Sequence, residues 1–136
     1  MRKYGSAFFT SVLAIGLLTG CDNGKNPVEE SGPTLVEVQE QVFDVSCTGC
    51  HAGNDAPEGL ILTAGSAYSN LVNVPSPQVP SLERVDPGHP EDSYLLIKVR
   101  GSDRMAPGTS QMPIRQDLSE AQITLLEEWI ANGAEQ

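Results

Sequence analysis

Cys47-Thr48-Gly49-Cys50-His51 is the stretch on which the reading of this chain turns. Two cysteines separated by two residues and followed at once by histidine form the attachment signature of c-type haem. The spacing has a mechanical basis. In a helical turn, the two intervening residues bring both sulfurs to one side of the backbone, within reach of the two vinyl groups of one porphyrin. The histidine that follows is held beneath the ring, with one imidazole nitrogen available to the iron. Three rival readings compete for the same residues. A thioredoxin-like dithiol would accompany a βαβ pattern, and none is visible. Half of a zinc site needs a second ligand pair, yet His89 and Cys21 are the only other histidine and cysteine in the chain. A plain Cys47–Cys50 disulfide is open to a chain in an oxidising compartment.

Upstream of the motif, Thr34-Leu35-Val36-Glu37 fits a capping box, in which Thr34 bonds the third helical amide and Glu37 reaches back to the cap. Leu35, Val38, Val42 and Val45 recur at spacings of three and four, which predicts one apolar face on a helix over 34–46. Downstream, Ser66 is placed to cap a short helix carrying Tyr68, Leu71 and Val72. Five prolines between Asn73 and Pro90 exclude long regular structure there. Pro90-Glu91-Asp92 reads as a first helical turn, with the helix ending near Gly101. The last helix, 119–132, is bounded by a Ser119/Gln122 capping box with Leu118 and Ile123 at staple positions, and by Gly133 as its stop. No stretch alternates like a strand. The predicted class is all-α with long loops.

The N-terminus reads as a targeting segment: Arg2 and Lys3 precede an uncharged apolar run from Ala7 to Leu18. A transmembrane helix needs about 20 apolar residues, so a retained membrane helix is the weaker reading. Leu18-Thr19-Gly20-Cys21 resembles the lipobox of bacterial lipoprotein signal peptides, which implies cleavage before Cys21 and a diacylglycerol on its sulfur. A lipidated terminus with two or three acyl chains anchors a domain far more firmly than one chain does. Asp22 resembles the inner-membrane retention signal of enteric bacteria, and the choice between inner and outer membrane stays open. The expected layout is a signal peptide at 1–20, a lipidated N-terminus and flexible tether at 21–33, and a folded domain at 34–136. Residues 22–33 are polar and rich in turn formers, with no apolar side chain to bury except Val28.

Cleavage removes two of the eight basic residues and none of the eighteen acidic ones, moving the net charge from −10 to −12. Such a surface argues against nucleic acid and against anionic lipid. It favours a partner with a basic docking face, or simply keeps the domain soluble. Only four aromatic residues follow the signal segment: Phe43, Tyr68, Tyr94 and Trp129. That is a thin core for a chain of this length, and a buried porphyrin would fill the deficit.

The chain resembles the monohaem class I cytochromes c. The resemblance runs through Cys47 to His51, Gly59-Leu60-Ile61-Leu62, Ala67-Tyr68 with Leu71-Val72, and Pro87 to Leu95. It continues through Lys98 with Gly101, Met112-Pro113, and Leu118-Ser119 through Trp129-Ile130 to Gly133-Ala134. It implies one covalent haem c bound by Cys47, Cys50 and His51, within a class I fold whose N- and C-terminal helices cross. Two methionines, Met105 and Met112, lie in an irregular loop between predicted helices and are candidates for the sixth iron ligand, although methionine is ordinarily a core filler. In the family the axial methionine tends to stand in a Met-Pro pair before the last helix. The resemblance therefore implies Met112, with Met105 the second choice and His89 or an open position behind them. It also implies a proline carbonyl shortly after His51 that accepts its ring N–H, with Pro57 the nearest candidate. Arg84, Lys98, Arg100, Arg104 and Arg115 are candidate partners for haem propionates.

With both axial positions filled, the expected role is electron transfer rather than catalysis, in the bacterial periplasm or at the cell surface, tethered to a membrane by lipid and serving redox partner proteins. Two alternatives stand beside it. One is an open-site haem protein, either a gas sensor or a peroxidase-like enzyme. The other is a haem-bearing accessory subunit of a larger oxidoreductase.

Overall fold

The computed structural model describes residues 32–136, so the signal segment, Cys21 and nearly all of the tether lie outside the described residues. The first helix starts as expected. Thr34 adopts extended backbone, its hydroxyl accepts the Glu37 amide, and the Glu37 carboxylate returns to the Thr34 N–H at 2.8 Å. After one α-helical turn, α1 (Leu35–Val38), the winding widens into a π-helix over Gln39–Cys47. In π winding the amide bonds the carbonyl five residues back, and such segments are rare and often mark functional sites. The expected apolar face changes with it. Val38, Val42 and Phe43 are fully buried, whereas Val45 is 72% exposed, because a stripe spaced for 3.6 residues per turn does not survive the wider turn.

The later helices are α2 (Ala67–Leu71), α3 (Tyr94–Arg100) and α4 (Glu120–Ala131), with single 3₁₀ turns at Pro57–Gly59 and Pro90–Asp92. Two boundaries differ from expectation. Ser66 precedes α2 without a side-chain cap bond, and Val72 lies just beyond the helix in extended backbone. Pro90 opens a separate 3₁₀ turn, and α3 begins only after Ser93 returns to extended backbone. Gly101 ends α3 in the left-handed region, at φ 67°.

The ends of α4 are as expected. Ser119 and Gln122 exchange both bonds of a capping box. At the other end, Ala134 N–H donates to the Trp129 carbonyl and Gly133 N–H to that of Ile130, a Schellman stop with Gly133 at φ 96°.

Among the described residues there is no strand, and the architecture is all-α with long loops. The proline-rich stretch is nevertheless ordered: Asn73 N–H donates to Val85 O and Arg84 N–H to Val74 O, with isolated bridges at Val72–Val85 and Pro75–Glu83. One core joins the elements. α1 and α3 pack against α4, and Gln122 Nε2 donates to the Gln41 carbonyl at 2.8 Å across the first and last helical segments. Val38, Val42, Phe43, Leu71, Leu96, Leu126, Trp129 and Ile130 form the centre. Trp129 is fully buried, and its indole N–H donates to the Glu135 carbonyl at 2.8 Å. Trp129→Ala is expected to cost about 3–5 kcal/mol, read as a lowered denaturation midpoint at unchanged slope. No helix among the described residues is long and apolar enough to cross a membrane.

Candidate functional site

The π-helix delivers Cys47 to its last position, and the backbone then turns. Thr48 N–H donates to the Phe43 carbonyl at 2.9 Å, while Cys50 N–H and His51 N–H both donate to the Cys47 carbonyl. The turn is a sequel to π winding: Cys47 Sγ sits 3.8 Å from the Val42 carbonyl, again five residues back. Cys47 is half-buried, Cys50 is exposed, and both are free thiols. Burial pushes the Cys47 thiol up to about 11. No group of three or more His, Cys, Asp or Glu side chains converges among the described residues, so these offer the zinc reading no closed ligand set.

Cys47, Cys50 and His51 line one cavity of about 860 Å³, and Met112, from the loop between α3 and α4, lines it too. Its wall is largely apolar, with Leu60, Leu62, Leu71, Leu95 and Val99. The volume lies in the upper part of the roughly 300–1,000 Å³ range of small-molecule and cofactor sites.

The donor set fits a covalently held haem. Two thiols stand beside a histidine whose ring is fixed by its neighbours, a thioether comes from a distant loop, and apolar walls surround them. His51 Nδ1 lies 3.0 Å from the Leu60 carbonyl, and the His51 carbonyl accepts the Leu62 N–H at 2.8 Å. A carbonyl only accepts, so Nδ1 carries the hydrogen, and in the neutral ring this leaves Nε2 with its lone pair, the tautomer a metal needs. The expectation of Pro57 as acceptor is therefore corrected to Leu60. The Pro57 carbonyl is taken by the Leu60 N–H in closing the 3₁₀ turn.

Met105 and His89 do not line this cavity. His89 is exposed and its Nδ1 pairs with Asp86 at 3.2 Å. The hydrogen bond and charge of Asp86 raise its pKa above the ordinary value, with Glu91 and Asp92 adding smaller pulls. The folded state therefore favours the imidazolium. Its contribution to stability is complete below about pH 6.5 and is lost as pH rises through the raised folded value. A proton-NMR titration is expected to place His89 above about 6.5, and Asp86→Asn to bring it back.

The five candidate propionate partners divide. Arg84, Lys98 and Arg115 line the cavity, where Glu58 is the only acidic residue among those described. Arg84 donates to the Asn70 and Glu58 carbonyls, and burial pulls its pKa down. Arg100 is paired with Glu127 at 2.6 Å and Arg104 with Asp92 at 2.8 Å, both away from the cavity. Sequence reasoning missed the Gln78 amide, which accepts from Tyr94 OH at 2.9 Å and donates to Glu58 at 3.2 Å on the cavity wall. A glutamine in a proline-rich loop carries no signal of such a role.

No family model matches the chain, and no curated protein matches it. A solved structure similar to it is that of Kuenenia stuttgartiensis hydrazine synthase, at 21% identity and a TM-score of 0.46, over 71% of this chain. The match spans 15% of that chain, a likeness too slight to bear on fold or activity.

Proposed function

We propose that this chain binds one c-type haem covalently and carries single electrons outside the bacterial cytoplasm. The observation that carries the reading is the convergence of Cys47, Cys50, His51 and Met112, from two separate segments, on one apolar cavity. The haem supplies reversible one-electron exchange at its iron. The chain does the rest. Cys47 and Cys50 would hold the haem through thioether links to its two vinyl groups, a net addition of each S–H that needs no oxidant. His51, held through Nδ1 by Leu60, would bind the iron through Nε2, and Met112 would bind it through its sulfur. Leu60, Leu62, Leu71, Leu95 and Val99 exclude water, while Arg84, Lys98 and Arg115 offer positive charge to the propionates. The contact of α1 with α4 supports a class I cytochrome c arrangement.

The same proposal assigns residues 1–20 to a lipoprotein signal peptide, Cys21 to lipid attachment, 21–33 to a tether and 34–136 to the cytochrome domain. It places the domain in the periplasm or at the cell surface, facing a redox partner with a basic docking surface. Absorption spectra of both redox states on membrane extract test the central claim. Haem bands that survive acid-organic extraction and a ferrous form that ignores carbon monoxide are expected; a colourless protein would refute it. Cys21→Ala is expected to release the domain from the membrane fraction.

A further inference from the structure

The loop carrying Met112 leaves α3 at Gly101 and doubles back onto the helix it has just left. The last carbonyls of a helix have no partners inside it and must find them elsewhere. In α3 they find them in the methionine loop. The Lys98 carbonyl accepts the Met112 N–H at 3.0 Å, and the Val99 carbonyl accepts from Gln111 Nε2 at 3.0 Å. Lys98 Nζ donates in turn to the Ser110 carbonyl. Three consecutive residues, 110–112, are thus each bonded to the final turn of α3. Gln111 Nε2 also donates to Asp117 at 3.2 Å, joining the two limbs of the loop.

Met112 and Pro113 are half-buried on the cavity wall and Leu118 returns the chain to the core, while hydrogen bonds to α3 fix the backbone of 110–112. Gly101 is part of the arrangement, since a Cβ there would overlap the Gln111 carboxamide.

We propose that Lys98 and Gln111 are positioning residues that latch the Met112 loop to the end of α3 and so set how firmly the Met112 sulfur is presented to the cavity. The inference rests on the reading of Met112 as an axial ligand. Without the latch, a larger fraction of molecules has the thioether withdrawn. An exogenous nitrogen ligand then binds in proportion to that fraction.

Imidazole titration of the ferric holoprotein, followed by its visible spectrum, tests this. Lys98→Met keeps the aliphatic stem and the main-chain bond to Met112 but loses the bond to Ser110. Gln111→Leu loses both carboxamide bonds. Each is expected to bind imidazole roughly tenfold more tightly than the parent, with faster hydrogen exchange at the Met112 amide, and Gln111→Leu is expected to keep the parent's content of covalent haem. Lys98→Arg, which keeps a cationic donor, is expected to stay within about twofold. Imidazole affinity within about twofold of the parent in both Lys98→Met and Gln111→Leu would overturn the latch. If Lys98→Met does not accumulate as holoprotein, Gln111→Leu decides, because its side chain is partly exposed on the loop. Met112→Ala separates the two levels. If it leaves the spectrum and imidazole affinity of the parent unchanged, the ligand reading fails and the latch with it; if it alters both while the latch variants do not, the latch alone fails.

Discussion

Replacing Cys47 and Cys50 together by alanine is expected to leave a chain without a cooperative, haem-independent melting transition. The cavity between them and Met112 has a volume of about 860 Å³ and a largely apolar wall, so a chain without the group that fills it leaves that wall to water. The affected wall also includes fully buried structural residues: Leu62 and Leu71 face the cavity and belong to the same core as Trp129 and Phe43. A group bound only by the native state adds its binding free energy to stability, and the covalent link makes that contribution independent of haem concentration. Circular dichroism melts of the double variant and the parent provide the measurement. A sharp transition in the variant near the parent's midpoint would show that the protein part folds alone.

Met112→Ala is expected to have the second largest effect. Among the described residues it removes the only thioether on the cavity wall, since Met105 does not line it. A thioether opposite histidine raises the reduction potential, and axial ligands together tune haem over roughly 0.8 V, so a fall on the order of 0.1 V or more is expected. The sulfur-to-iron band in the red should vanish, and the ferrous variant should bind carbon monoxide where the parent does not. Potentiometry and the two spectra read these directly. A variant that keeps the band and the potential would return the assignment to Met105 or His89.

What sequence reasoning found and missed follows from the range of the interactions involved. The two capping boxes were legible because both partners lie within three residues of each other, as Thr34 with Glu37 and Ser119 with Gln122. The stops at Gly101 and Gly133 were legible for the same reason. Val45 was misjudged because its place on an apolar face presumed 3.6 residues per turn, and nothing in residue type marks the change of winding after Val38. Pro57 is expected as the acceptor for His51 only because the family resemblance implies a proline carbonyl there, whereas the acceptor is the Leu60 main-chain carbonyl, which any residue at position 60 would supply. The grouping of Met112 with the cysteine motif came through resemblance. Local patterns do not join residues 47 and 112, and that link depends on how α3 and its following loop pack.

The π winding over Gln39–Cys47 bears on how portable the cysteine motif is. Residues five apart, such as Val38 and Phe43 or Val42 and Cys47, are successive hydrogen-bonding neighbours in this geometry. In an ordinary α-helix, five residues turn the chain through about 500°, so the second of each pair would lie roughly 140° around the axis from the first. Copied letter for letter onto an α-helical scaffold, the segment would bury Val42 and swing Cys47 toward solvent. A designer borrowing it must respace the approach to Cys47 as well as copy the five residues of the motif.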